Sequence, residues 1–439
     1  MSFITDEMIE TIASSINSRI NKSSSIPVNT VQDDSRSPNY FEIISFENID
    51  DYDTKFFAID GSYVSKEFQN GVGVALYTAG YICYQGGKEI RLNDKDDVLD
   101  LGKKYLPKNI LLTNENDKKA ILEELITLDP VKNLIQFFNV DDVSKIWGLG
   151  EKTFELLVTS TSKLLSFCQE ILEWSLVYEI LIDSLINEGD YILRDGTLRS
   201  NNIKQEYLIE IGRLAKSKNV KLIAVTKSTP IKLELSSAFR SIDEFLESNK
   251  KPNYPFTIQN KRWQKLCCWF EVNNNTLISA YPEVRQNAKV ADGTLDRVTN
   301  TSMFAKNDLT GGRGFGVFFV ARLDYVEKLQ NYDWVVMDLN IFDVVPVLCD
   351  KPTMNASEIY AEPRNVENIQ SMIKELTRLT QEHYILGYPY PLVEAHNYVT
   401  LSHSFRDEVV NRVKSALYLS KRMDNVEIEN MFLDIHSKF

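Results

Sequence analysis

Two stretches of this chain share a design that limits what it can fold into: an apolar run that ends on Asp, Gly and a hydroxyl residue. In FFAIDGSY, residues 56–63, the run leads to Asp60, Gly61 and Ser62; in YILRDGTL, residues 191–198, it leads to Asp195, Gly196 and Thr197. An unbroken apolar run of this kind predicts a strand covered on both faces, with Gly and the hydroxyl residue ending or turning it. Two strands would then each hold up one carboxylate, and two such carboxylates can share divalent ions. The ordinary alternative is a turn, because Asp bonds nearby backbone and Gly accepts positive φ.

The rest of the chain suffices to bury a core around these strands. With 439 residues, 43% of them hydrophobic, it can hold one large domain with insertions or two to three smaller ones. No apolar run reaches the roughly eighteen residues of a membrane span, and MSFITDEMIE lacks the basic-then-apolar order of a signal peptide, so a cytoplasmic protein is expected. The five cysteines are scattered, Cys267 and Cys268 being adjacent, and no C-x-x-C pair suggests a zinc cage or a disulfide framework. A formal charge of −13 argues against a protein that coats nucleic acid non-specifically, since phosphate affinity comes from Lys and Arg. Any DNA contact must be local.

Along the chain, Met8, Ile9, Ile12, Ile16 and Ile20 fall on one helical face behind Thr5 as an N-cap, and residues 22–40 are rich in Ser, Asn, Asp and Pro. Residues 1–50 therefore read as a helix and linker arm, the helix either docking elsewhere or packing on its own domain. Three strands in an antiparallel meander are expected over 54–92. GGKE at 86–89 is not a phosphate loop, because its Lys is followed by Glu and the first glycine of the motif is missing. Residues 94–150 are charged and locally helical, which fits an insertion. A long helical region over 151–188 carries Glu170, Glu173 and Glu179 into the Asp195 strand.

Beyond it the pattern predicts a helix at about 203–218, a strand at 221–228 and a helical stretch through KRWQKLCCWF, residues 261–270. Strands in GFGVFFVARL and DWVVMDLNIF and a helix near 365–383 follow. Pro391 fits the first turn of a helix that carries His396 in its second turn, at the edge of a stripe of Leu392, Ala395 and Val399.

Taken together, IDGS at 59–62, RDGTL at 194–198, AVTKS at 224–228 and YPYPLVEAH at 388–396 resemble the NurA family of nucleases, in this order and at these separations. The likeness covers roughly residues 50–405. It implies an α/β, ribonuclease H-like mixed sheet flanked by helices, with helical insertions and an N-terminal helical arm. The nuclease domain would span 51–405, with its insertion at about 94–150, and 406–439 would be a C-terminal helical tail. The chain is longer than a compact family member, mostly at 94–150 and after 405. By the same resemblance the chain would cut DNA with Mn2+ or Mg2+, two ions per site, as a homodimer. Its partner would be a HerA-like hexameric ATPase translocase in DNA end processing; repair and antiphage defence both stay open.

Residue by residue, the resemblance makes Asp60 and Asp195 metal ligands, His396 a ligand or a phosphate-positioning group, and Tyr388 a site residue. The family's further Glu, from the helix before the second Asp, matches Glu179 by position, sixteen residues ahead of Asp195, with Glu173 as the substitute. Such a set suits phosphodiester cleavage, which needs a nucleophile made from water and charge stabilised on the attacking and leaving oxygens; two ions about 3.5–4 Å apart do both. Oxygen ligands favour hard ions, and a His ligand tilts the choice toward manganese.

Lys227, at the end of AVTK, is a candidate point charge for phosphate, or a plain surface lysine. Tyr388 fits equally a core aromatic with its hydroxyl satisfied. Arg313 in GGRGFG sits in a flexible turn that can touch DNA, and Trp263, Leu266 and Phe270 either stack on bases or fill a core. A catalytically idle ribonuclease H-like adaptor for a motor complex is the competing function. Retention of Asp60, Asp195, His396 and an upstream Glu separates the two.

Overall fold

The strand that delivers Asp60 does not end at Gly61, as the sequence suggested, but runs on through it as Lys55–Glu67. It is paired antiparallel along its whole length with Gly73–Gln85, and the ladder carries it past the glycine. These strands belong to a computed structural model describing residues 10, 11, 13, 14, 41–43, 53–68, 73–92, 102–105, 111, 112, 115–148, 150–200, 202–226, 268–271, 316–323, 334–344, 346, 363–382, 387–420 and 423–433. The chain divides into two compact units: Tyr52–Asp195, Ser200–Val220 and Pro391–Phe439 make one, and Met1–Asp51, Gly196–Arg199 and Lys221–Tyr390 the other. Counting Phe41–Ile43 of the latter unit as β1, the two long strands are β2 and β3.

In the unit that holds Asp60, β2 and β3 form a hairpin whose apolar residues leave little exposed. Phe56, Phe57, Ala58 and Ile59 of β2 are all buried, as is nearly all of β3, so both faces of the hairpin are covered. Three short strands, β4 (Lys88–Ile90), β5 (Lys103–Tyr105) and β6 (Leu111–Leu112), pair antiparallel with successive parts of the other edge of β3. On the other side of β2 lies β7 (Tyr191–Asp195), parallel to it, with Phe56 opposite Tyr191 and Ile59 opposite Arg194. The sheet is therefore mixed.

Helices flank it. After α1 (Glu115–Leu125), α2 (Asp129–Phe137) and a 3-10 segment at Glu151–Thr159, the Ser160 hydroxyl caps α3 (Thr161–Ile182) by accepting the Lys163 N–H. Leu164, Phe167, Ile171, Trp174 and Leu176 of α3 are wholly buried, which places apolar residues all round the helix and marks it as the central one. It packs on β2 and β3, and α4 (Gln205–Ser217) follows β7.

In the other unit β1, β9 (Cys268–Glu271), β10 (Gly316–Arg322), β11 (Trp334–Asn340) and β8 (Lys221–Thr226) pair antiparallel in that order. Residues 268–270 are thus strand, not the helix that the spacing of Trp263, Leu266 and Phe270 suggested. Pairing with neighbours on both sides decides for a short aromatic segment of this kind. Trp269 is buried, with its indole N–H on Gln370 Oε1 at 2.7 Å. Among the described residues of this unit are the helices α5 (Ile341–Val344) and α6 (Pro363–Glu382).

Near the C-terminus α7 (Tyr390–Val399) starts with Pro391 in its first turn, as expected. The tail continues as α8 (His403–Ser420) and α9 (Asn425–Met431). Leu401, Val410, Ile428 and Phe432 of this stretch pack on Val64, Phe68, Val74 and Leu76, so it rests on the far half of the β2–β3 hairpin. Residues 10, 11, 13 and 14 are helical and exposed. Met8, Ile9, Ile12, Ile16, Ile20, the linker at 22–40, Lys227, Trp263, Leu266 and Arg313 lie outside the described residues. Among the described residues no helix is long and apolar enough to cross a membrane.

Candidate metal centre

Two glycines show which helix covers which face around Asp60. Gly80 lies opposite Asp60 in the ladder, and a Cβ on it would come 3.1 Å from Val399 Cγ1, so α7 covers the face to which Asp60 points. Gly61, the next residue along β2, faces the other way: its Cβ would stand 2.4 Å from Glu173 Oε1 and 2.6 Å from Gln169 Cγ, both on α3. Helices α7 and α3 therefore lie on opposite faces of the sheet, and both glycines are needed for close approach rather than for turning.

On the α7 face, Leu392, Ala395 and Val399 are wholly buried against the sheet, while His396 at the edge of that stripe keeps half of its side chain exposed. Its Nδ1 lies 2.8 Å from Asp60 Oδ2. The other oxygen, Oδ1, accepts the Gly61 N–H at 2.7 Å. Asp195, at the end of β7 and next in parallel register to Asp60, is half-buried. Asp60, Asp195 and His396 each present one ligand atom, and these atoms lie within 4.8 Å of one another.

The electrostatics of the group suit a cation. Burial pushes the Asp60 carboxyl above the ordinary aspartate range, and the charge of Asp195 pushes it further, while the hydrogen bonds from His396 and the Gly61 N–H pull the other way. Two carboxylates repelling each other beside an imidazole make a site of oxygen and nitrogen donors that a hard or borderline divalent ion fits. Against an ionised Asp60, His396 Nδ1 donates, and in the neutral ring Nε2 then carries the lone pair.

Glu179 sits elsewhere. Its carboxylate accepts from Tyr105 Oη at 3.1 Å, from Tyr81 Oη at 3.4 Å and from Lys103 Nζ, which ties α3 to β3 and β5. Glu173 and Glu179 are six residues apart, about 240° round a helix of 3.6 residues per turn, so one helix cannot aim both at one place. It is Glu173, 3% exposed, that lies beside Gly61. Its Oε1 accepts from Gln169 Nε2 at 2.7 Å and its Oε2 from Arg194 Nη2. Burial pushes this carboxyl up to about 7, with the Arg194 guanidinium as the strongest pull against it.

Tyr388 is buried, its hydroxyl donating to the Val225 carbonyl oxygen at 3.1 Å, which is the satisfied core aromatic among its two readings. Arg194 and Gln169, both on Glu173, are residues for which no role was expected from the sequence. The signal for Arg194 was present, because a charged residue inside the apolar run YILRD must find a buried partner.

No protein-family model and no curated protein matches this chain. Solved structures similar to it are NurA nucleases. One is the NurA nuclease from Sulfolobus solfataricus, 14% identical over 95% of this chain and 96% of that one, with a TM-score of 0.43. A second NurA structure is 12% identical over 96% and 99% of the two chains, with a TM-score of 0.35. A NurA structure with manganese is 12% identical over 95% and 99%, with a TM-score of 0.32.

Proposed function

We propose that this chain is a divalent-metal-dependent nuclease that hydrolyses phosphodiester bonds in DNA. One observation carries the reading: Asp60, Asp195 and His396, from three separate elements, converge with one ligand atom each inside 4.8 Å. The order of the motifs that bear them, IDGS, RDGTL and YPYPLVEAH, supports it. A divalent ion held there would lower the pKa of a bound water and offset charge on the phosphate oxygens. Asp60 and Asp195 supply the negative charge that holds the ion. His396 is fixed through Nδ1 on Asp60, so its open edge can meet a ligand, a water or a phosphate oxygen. The mixed oxygen and nitrogen donor set favours manganese over magnesium.

Delivery of the strand is assigned to a separate HerA-like hexameric ATPase translocase, with the chain acting as a homodimer in DNA end processing, for repair or for antiphage defence. The formal charge of −13 and a sequence without a phosphate loop support a partner that brings the DNA and spends the ATP. The test is cleavage of linear and circular DNA by the purified chain with Mn2+, Mg2+ or a chelator, with and without the ATPase. Cleavage that needs the ion and is lost in Asp60→Ala is the expected result. An inert chain in every arm, with the ATPase present, would leave the adaptor role instead.

A further inference from the structure

We infer that Ser62 is a positioning residue that sets how far α7 reaches along β2, and through that register brings the His396 ring to Asp60. The inference rests on the reading of His396 as part of a nuclease centre. The contact between His396 and Asp60 joins two side chains, one of them half exposed, and leaves the helix backbone unplaced. A group that works in catalysis must be held within roughly 0.5 Å of its place, by neighbours that are themselves fixed. The depth of α7 is set by glycines: a Cβ on Gly80 would stand 3.1 Å from Val399 Cγ1, and one on Gly102 3.1 Å from Tyr398 Cε1, so the missing side chains let the helix lie close on the sheet. Leu392, Ala395 and Val399 are wholly buried on that side, but apolar contact is non-directional and resists sliding weakly. A directional bond has to fix the remaining freedom.

That bond lies two residues beyond Asp60. Side chains alternate along a strand, so Ser62 points to the same face of β2 as Asp60. Its Oγ accepts the N–H of Leu401, the second residue after α7, at 3.1 Å. Asp60 and Ser62 stand about 6.8 Å apart along the strand, and His396 and Leu401 about 7.5 Å apart at the helical rise, so both contacts fit one alignment of α7 with β2. A slide of one residue, about 1.5 Å, would strain both bonds. The backbone between them is braced: the His396 carbonyl oxygen accepts the Thr400 N–H at 2.9 Å and the Thr400 hydroxyl at 2.6 Å, and the Tyr398 carbonyl oxygen accepts from Lys104 Nζ at 2.9 Å. A displacement at Leu401 is therefore passed to His396. Leu401 is itself seated, its side chain clustered with Val64, Leu76 and Val410 of the hairpin and the tail. The hydroxyl of the IDGS run thus joins the helix that carries the histidine to the strand that carries the aspartate, rather than ending that strand.

The experiment compares full-length, metal-free chains labelled with 13C in the histidine rings, and His396→Gln identifies the His396 resonance among those of the four histidines. Ser62→Ala should shift or split that resonance, and Ser62→Thr, which keeps the hydroxyl, should leave it in place. Thr400→Val removes a hydroxyl bond at the end of the same helix but neither bond to β2, and should also leave it in place. Mn2+-dependent DNA cleavage by Ser62→Ala, measured below the melting range of every variant, should fall by about 10–100-fold and return in Ser62→Thr. Where Ser62→Ala does not fold, Ser62→Cys, whose sulfur accepts weakly, should show the same changes in smaller degree. An unmoved resonance in Ser62→Ala, an equal shift in Thr400→Val, or a shift with unchanged cleavage would overturn the inference and leave the nuclease reading standing. The expected shifts in a chain whose unaltered form cuts no DNA with any ion would uphold the register and remove the nuclease reading.

Discussion

His396 Nδ1 and Asp60 Oδ2 are 2.8 Å apart, a side-chain contact that joins α7 to the middle of β2. The imidazole is half exposed and the carboxylate nearly buried, so the pair joins the interior of the sheet to its surface. The contact leads to tests of both partners and of what surrounds them.

Asp60→Asn and Asp195→Asn should each weaken Mn2+ binding by more than the roughly 10–100-fold that follows loss of an outer-shell partner. DNA cleavage should fall with it. Neither change removes apolar burial, and Asp60→Asn relieves the repulsion that raises Asp60, so the Tm of the metal-free variant should not drop. Calorimetric titration and thermal melts on the same samples check both statements; a variant that melts early would make Asp60 a structural residue.

His396→Ala should lower cleavage strongly while changing stability by less than about 1 kcal/mol, because half of the side chain is already in water. Added Mn2+ should restore part of the activity. A large fall in Tm with normal turnover by the folded fraction would assign the ring to packing instead.

The pH dependence has a definite sign. The carboxyls of Asp60 and Glu173 are both raised by folding, so the stability they contribute is present at low pH and lost as pH rises. For Asp60 that loss begins above its usual 3.8, and for Glu173 it runs from 4.5 through about 7. A cation on Asp60 offsets its share. The rise in Tm on adding Mn2+ should therefore grow as pH rises from the ordinary aspartate value of 3.8 toward neutral. Melts with and without the ion across that interval decide it, and a gain that shrinks toward neutral pH would contradict the assignment.

Gly61→Ala should destabilise the chain by about 1–3 kcal/mol, the usual cost of overpacking, because the new methyl would stand 2.4 Å from Glu173 Oε1. That carboxylate cannot swing aside while Arg194 and Gln169 hold it. Truncating Gln169 to Ala in the same chain should recover part of the loss, since two of the three crowding atoms belong to it. Denaturant titration of the single and double variants measures the recovery, and equal midpoints for Gly61→Ala and the unaltered chain would show the α3 contact to be loose.

Removing residues 1–22 tests the proposed assembly. Co-purification with a HerA-like ATPase and the homodimer mass should both suffer more than intrinsic cutting does. Unchanged mass and unchanged co-purification would clear the N-terminal helix of any role in contact.

Three residues of the candidate centre were legible in the sequence because each stands at a marked place. Asp60 and Asp195 close apolar runs, and His396 sits one turn inside a helix announced by Pro391. Choosing between Glu173 and Glu179 was beyond it, since the rotation of α3 about its axis is fixed by packing all round the helix and leaves no one-sided stripe to read. Gly61 was legible as a special position but for the wrong reason: the missing Cβ makes room for Glu173 instead of permitting a turn. Residues 268–270 went astray because three apolar side chains at helical spacing mimic a helix, and only the partners in β1 and β10 select the strand.

The partners in the opening contact are separated by 336 positions. During synthesis at roughly 5–20 residues per second, Asp60 leaves the ribosome on the order of tens of seconds before the imidazole that completes its surroundings. A nascent or prematurely terminated chain carries the acids without the histidine. A nuclease of the proposed kind would in this way lack part of its metal centre until the histidine has been made, with no separate inhibitor required.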